Sequence, residues 1–119
     1  MCWHSSIEVS PEISKKDIPI FKICKKSDDG YVESKYQRFK YELGKLYTEN
    51  VKPYISFEGN QEITEAFHSY DIGLKNISWA MMNDDDILVE GIIPKGAIYY
   101  LNMFGEIASD QIILKKIEK

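Results

Sequence analysis

The stretch Ile87–Ile117 reads ILVEGIIPKGAIYYLNMFGEIASDQIILKKI, and it is the most strand-like part of the chain. The apolar run Ile87–Ile93 is typical of a central β-strand. A Pro-Lys-Gly turn separates this run from a second strand over Ala97–Asn102, and a Phe-Gly turn precedes a third strand over Ala108–Ile117. The last third of the chain therefore predicts three strands of a mostly antiparallel sheet.

A hairpin is predicted further upstream. Ile18–Lys26 (IPIFKICKK) is apolar and β-branched, and Tyr31–Tyr36 alternates as a strand does. The Ser-Asp-Asp-Gly sequence between them has the residues of a tight turn. Alternation places Phe21 and Ile23 on one face of the first strand and Lys22 on the other, among apolar neighbours.

Helical signals are fewer. Asn60 is a good N-cap, and apolar residues follow at helical spacing before the natural stop at Gly73; they are Ile63, Ala66, Phe67 and Tyr70. A turn of helix is also predicted to start at Ser10-Pro11. The segment 36–50 fits either a helical stripe that Gly44 interrupts or a loop with a short strand, and we favour the second.

These patterns predict an α+β fold in a single compact domain spanning residues 1–119. We expect a bent, mostly antiparallel sheet of five to seven strands with one or two short helices. The length of 119 residues fits one domain, and the sequence contains no repeat, low-complexity segment or linker.

Composition excludes several classes of function. The formal charge of −4 gives no cationic surplus for a nucleic acid polymer, and the apolar runs are too short to cross a membrane. The N-terminal residues have no secretory pattern, and the two cysteines, Cys2 and Cys24, fit a reducing cytoplasm. We therefore expect a cytoplasmic protein with neither nucleic acid nor membrane as a partner.

Reactive-group motifs are also missing. The sequence has no Gly-x-Ser-x-Gly motif, and its two cysteines and two histidines lack the spacing of a zinc site. We predict no metal, no cofactor and no catalytic set. Phosphate could be held by Lys22, by the single arginine, Arg38, or by a helix starting at Asn60; a plain surface arginine is the alternative interpretation.

A candidate binding cleft emerges from tyrosine, serine and histidine side chains. Aromatic rings stack on bases, and hydroxyl and imidazole groups form hydrogen bonds, which is the chemistry of a purine or ribose site. The predicted stacking residues are Tyr36, Tyr41 and Tyr70, and the predicted hydrogen-bonding residues are Ser34, His68 and Ser69. The alternative is that Phe67 and Tyr70 pack into the core while His68 and Ser69 face water.

The quoted elements also carry a resemblance. The run from Phe21 to Ile117, including FKICKK, FHSY and IIPKGAIYY, resembles small uncharacterised proteins of bacteriophages and gut Bacteroidetes. The Pro-Lys-Gly turn and the following Gly105-Glu106 are similar to the late strands of ADP-ribosyltransferase-like folds. That group's arginine is replaced by Lys22 here, and its Ser-Thr-Ser element is missing, which implies a cleft that binds such a nucleotide without turning it over.

Three functions remain open from the sequence. The leading hypothesis is a small non-enzymatic binding protein for a nucleotide-like ligand, which in a phage would sequester a host immune signal in the host cytoplasm. A protein-interaction or inhibitor module is the second, and a homo-oligomer is compatible with either. The third is an NAD-consuming enzyme of the ADP-ribosyltransferase type, in which Glu106 would orient the nicotinamide ribose.

Overall fold

The chain folds into two antiparallel sheets and one short 3₁₀ helix, as seen in a computed structural model that describes residues 3–34 and 39–118. The strands are β1 (Trp3–Ser5), β2 (Glu12–Ile13), β3 (Ile18–Lys26), β4 (Val32–Ser34), β5 (Lys40–Tyr41), β6 (Leu46–Thr48), β7 (Pro53–Ile55), β8 (Gln61–Ile63), β9 (Phe67–Asp71), β10 (Asp86–Ile93), β11 (Ile98–Leu101), β12 (Glu106–Ser109) and β13 (Gln111–Ile117). The helix is Ile72–Met81. The radius of gyration of 13.8 Å is close to the roughly 13.5 Å expected for one domain of this length.

The larger sheet has ten strands. Eight of them follow the order β2-β11-β12-β9-β3-β10-β13-β6, while β4 pairs with β3 and β5 pairs with β4. The smaller sheet has the order β1-β8-β7. The prediction of a mostly antiparallel sheet is confirmed, but the predicted count of five to seven strands is wrong, because many two- and three-residue strands escape any periodicity test.

Three apolar clusters hold the sheets together. The largest lies on one face of the large sheet and includes Ile20, Cys24, Val89 and Leu114. On the opposite face, Trp3 joins Ile63, Ala66, Tyr100 and Ala108 where the small sheet packs on the large one. The third cluster forms where the helix covers β3 and β10, and its members include Phe21, Ile23, Leu88, Ile72, Leu74 and Met81.

The predicted hairpin is present. β3 pairs with β4 through Cys24↔Ser34 and Lys26↔Val32, and the turn between them contains Gly30 at a φ of +88°. A positive φ is cheap only for glycine, so the sequence signal and the turn agree. The loop and short strand favoured for 36–50 are confirmed in their described part, because β5 and β6 flank a turn at Gly44.

The helix predicted to follow Asn60 is wrong. Ile63 ends β8 and Phe67 begins β9, so the residues at helical spacing belong to two strands of different sheets. β-Branched and aromatic residues are mediocre helix formers, and a helix this short has little stability of its own, so strand pairing prevails. The helix start at Ser10 is wrong for a similar reason, because β2 follows it directly and pairs with β11.

The observed helix begins at Ile72, next to the glycine at which the predicted helix was expected to end. The Asp71 carboxylate accepts a hydrogen bond from the Gly73 backbone amide at 3.1 Å and caps its start. One further correction concerns an acidic residue. The strand predicted over Ala108–Ile117 is divided at Asp110 into β12 and β13. Asp86, at the start of β10, is buried beside Lys25.

Candidate functional site

A cavity of about 290 Å³ opens where β3 changes its partner along one edge. β9 pairs with Ile20 and Phe21, and β4 pairs with β3 from Cys24 onwards. Lys22 and Ile23 lie between these two ladders, in a gap that we call the seam. A strand edge without a neighbour leaves room beside it, so the seam is the origin of the cavity.

The lining combines buried and half-exposed side chains. The buried set comprises Trp3, Lys22, Ile23, Ser34, Ser69 and Ile107. The half-exposed set, which we call the mouth, comprises His68, Tyr70, Met81 and Glu106. The lining therefore combines accessible aromatic and acidic groups with a buried lysine and two buried serines.

Lys22 places an ammonium group in this cavity. The residue is only 8% exposed, and its Nζ donates a hydrogen bond to the main-chain carbonyl of His68, across the seam. The ring of Tyr41 lies 5.9 Å from Nζ. Within residues 3–34 and 39–118 no carboxylate forms an ion pair with Lys22, and burial lowers its pKa.

Ser69 contributes a hydroxyl that has no hydrogen-bond partner in the described part of the chain. The residue is 3% exposed, and its Oγ is the one buried side-chain polar atom there without such a partner. A buried hydroxyl left unpaired costs about 1–3 kcal/mol, so its presence needs an explanation. Because Ser69 lines the cavity, a bound ligand could supply the missing partner.

His68 and Tyr70 stand at the mouth on the face of β9 opposite to Ser69. The His68 Nε2 atom lies 3.1 Å from the Thr64 carbonyl oxygen, and burial, with a smaller effect of the Lys22 charge, lowers the pKa of the imidazole. The Tyr70 ring stacks on Phe21, with centroids 5.3 Å apart and planes 22° apart. Both rings are therefore held in place and partly accessible.

Glu106 and Trp3 contribute another part of the lining. Glu106 is the first residue of β12, paired directly with Tyr70 in the ladder. The buried Asn102 amide donates to the Glu106 Oε1 atom at 2.8 Å and to the His4 carbonyl at 2.9 Å. The Trp3 indole donates to the Glu106 carbonyl at 2.9 Å, which holds this part of the lining together.

Most of the predicted site residues converge on this cavity. Five of the eight predicted ligand-binding residues line it, namely Lys22, Ser34, His68, Ser69 and Tyr70, together with Glu106. Tyr41 does not line it; the residue is buried in the largest apolar cluster, and burial raises its pKa. Tyr36 and Arg38 lie outside the described residues.

The helical context assumed for these residues is wrong. His68 and Ser69 belong to a strand, so alternation turns them to opposite faces, and Ser69 is buried instead of facing water. No helix begins at Asn60 to hold a phosphate. The lining residues that the sequence did not suggest are Trp3, Ile23, Met81 and Ile107; they are apolar, and nothing in local sequence distinguishes them from core residues.

Other kinds of site were also sought in the described ranges. They contain no group of three His, Cys, Asp or Glu side chains that could hold a metal ion. Cys24 is a free, buried thiol whose pKa burial raises to about 11. None of the helical residues in the same ranges forms a segment of the length and apolarity that a membrane span requires.

No protein-family model matches the chain, and neither does any curated protein or solved structure. Function is therefore inferred from the chemistry of the cavity.

Proposed function

We propose that this chain is a non-enzymatic binding protein whose cavity takes a nucleotide-like ligand. The observation that carries the proposal is a pair of buried polar groups, the Lys22 ammonium and the Ser69 hydroxyl, in a cavity whose other buried lining residues are largely apolar. Lys22 has one carbonyl acceptor for three N–H donors, and the Ser69 hydroxyl has no hydrogen-bond partner among the described residues.

Ligand binding explains why these groups tolerate burial. An ammonium without a counter-charge and an unpaired hydroxyl each destabilise the folded chain. An anionic or hydroxyl-rich ligand supplies acceptors to both and offsets that cost only when bound. Sites that sacrifice stability in the free protein are typical of functional cavities.

The mouth suits a flat, ring-containing group. Tyr70 offers a ring that Phe21 already holds in a stacked position, and His68 lies two residues away on the same face of β9. Aromatic side chains stack on any nucleobase, because every base has a π-face. A base beside the half-exposed residues of the mouth, with a phosphate or ribose beside the buried lysine and serines, would match the two sets of lining residues.

The cavity volume limits the ligand. At about 290 Å³ it stands at the lower end of the roughly 300–1,000 Å³ typical of small-molecule sites. A single nucleotide fits this size better than a dinucleotide. The resemblance to phage proteins adds the setting: the protein would act as a sponge that removes a host signalling nucleotide from circulation.

Isothermal titration calorimetry tests the proposal. The panel comprises AMP, GMP, ADP-ribose and cyclic dinucleotides, and we expect the strongest heat with a mononucleotide. Tyr70→Leu should weaken binding, whereas Tyr54→Leu, a change on exposed β7 outside the cavity lining, should not. No heat with any member of the panel contradicts the proposal, and a co-purifying protein without a small molecule would favour the interaction-module alternative.

An ADP-ribosyltransferase-type activity is the second candidate, because Glu106 lines the same cavity. A carboxylate at that place could stabilise positive charge that develops on a ribose as nicotinamide leaves. Nicotinamide release from NAD by the wild type and not by Glu106→Gln would favour this activity. Equal release by both proteins, or no release at all, would contradict an activity that depends on Glu106.

A further inference from the structure

We infer that the buried part of the cavity lining contains an oxyanion subsite, formed by Lys22 and Ser69, that accepts a terminal phosphate in preference to an internal phosphodiester. The inference rests on the proposed function and deepens it, since it names the group of the ligand that these two residues bind. It is carried by two observations: where the polar donors lie and which of them are unsatisfied.

The donors belong to the buried part of the lining. Lys22 and Ser69 are both buried, as is Ser34, whereas the residues of the mouth are half-exposed. A terminal phosphate presents three acceptor oxygens and close to two negative charges to such donors. A phosphodiester has only two free oxygens and one negative charge, so it satisfies them less well.

The donors also have capacity to spare. The Lys22 ammonium can donate three hydrogen bonds and uses one, towards the His68 carbonyl. The Ser69 hydroxyl has no partner in the described ranges. Phosphate oxygens accept such charge-assisted bonds well, and the surrounding apolar groups strengthen each bond by excluding water.

The charges around Lys22 favour an incoming anion. Facing it are the Cys24 thiol on the same strand, the Tyr41 ring on β5 and the His68 imidazole on β9, while Glu106 lines the cavity from β12. Burial raises the pKa of Cys24 to about 11 and also raises the pKa of Tyr41, so both are neutral near pH 8. Glu106 is the single carboxylate in the described lining, and it stands at the mouth.

Proton uptake follows from this arrangement. Burial lowers the pKa of Lys22 in the free protein, and a phosphate beside the amine restores the charged form. Above the pKa of the free protein, binding therefore consumes one proton, and affinity falls up to tenfold for each unit of pH. The second ionisation of a phosphate monoester lies near pH 6, so it does not interfere above about pH 7.5.

Calorimetry with four probes tests the inference: inorganic phosphate, ribose 5-phosphate, AMP and cyclic AMP. We expect AMP to bind at least tenfold more tightly than cyclic AMP, which differs in having its phosphate closed into a diester. Lys22→Met should weaken AMP binding by about ten- to a hundredfold and abolish the fall in affinity as the pH rises towards 10.5. Lys26→Met, an exposed change on the same strand, is the matched control and should leave both unchanged.

Each outcome separates the inference from the proposed function. Equal binding of AMP and cyclic AMP, or an unchanged affinity in a folded Lys22→Met protein, overturns the subsite while a nucleotide site remains. Binding of inorganic phosphate or ribose 5-phosphate without any preference for AMP supports the subsite and contradicts a nucleotide ligand. Absence of heat with all four probes overturns both. Circular dichroism of each variant establishes that it is folded before titration.

Discussion

Removal of the Ser69 hydroxyl should stabilise the protein. Ser69 Oγ is buried without a hydrogen-bond partner among the described residues, and the cost of such a group is about 1–3 kcal/mol. Ser69→Ala deletes the atom, and because Ser69 already borders the cavity, the change enlarges existing space and creates no separate void. We expect a gain of about 1 kcal/mol in the free energy of unfolding, together with weaker ligand binding.

The gain is large enough to measure by thermal unfolding. An unfolding entropy of about 2.1 cal/mol/K per residue gives roughly 250 cal/mol/K for this chain, so 1 kcal/mol corresponds to an increase of about 4 °C in Tm. Urea titration followed by circular dichroism gives an independent value of the free energy.

Ser109→Ala is the matched control. Ser109 is also fully buried in a strand, but its hydroxyl donates to the Gln111 carbonyl oxygen at 3.0 Å. Its removal should therefore cost about 1 kcal/mol. If Ser69→Ala loses as much stability as Ser109→Ala, the Ser69 hydroxyl is satisfied in the free protein and the reasoning from its isolation fails.

Three further changes test other parts of the structure. Lys22→Met should become less stable relative to the wild type as the pH rises from the lowered pKa of Lys22 in the folded protein towards 10.5, because only the wild type has a buried amine that loses its charge in this range. Urea titrations from about pH 7 to 11 measure the difference in the free energy of unfolding. A difference that does not change with pH contradicts the prediction. Asn102→Ala should cost about 2–4 kcal/mol in urea titration, because it breaks hydrogen bonds to His4 and Glu106, whereas the exposed Asn83→Ala should cost under about 0.5 kcal/mol. Gly91→Ala should cost about 3 kcal/mol in stability, since its Cβ would lie 2.2 Å from the Ile113 carbonyl oxygen. Gly73→Ala is the control, because a Cβ there meets no atom closer than 3.7 Å. Thermal unfolding compares the two, and similar Tm values would refute the clash.

Local chemistry made part of the fold predictable. The β3–β4 hairpin was readable because its turn needs residues that tolerate unusual backbone angles, and Asp28, Asp29 and Gly30 occupy it. The apolar run that became β10 was readable because a strand with neighbours on both sides buries both faces. Both signals lie within a few residues of the element that they specify.

Long-range pairing explains what could not be predicted. Ile63, Phe67 and Tyr70 fit a helix by spacing, and only their separate partners, β1 and β7 on one side and β3 and β12 on the other, make them strands. The residue types of the site were readable from the sequence, because serine, histidine and tyrosine cluster in FHSY. Their convergence with Lys22 depends on a seam between ladders that no local pattern encodes.

The Trp3 contact has a practical consequence for handling the protein. The indole donates to the carbonyl of a residue 103 positions away, so Trp3 is part of the cavity lining. A bulky label attached next to Trp3 would therefore stand close to the ligand site. Labels belong on β13, since β13 contributes nothing to the described lining.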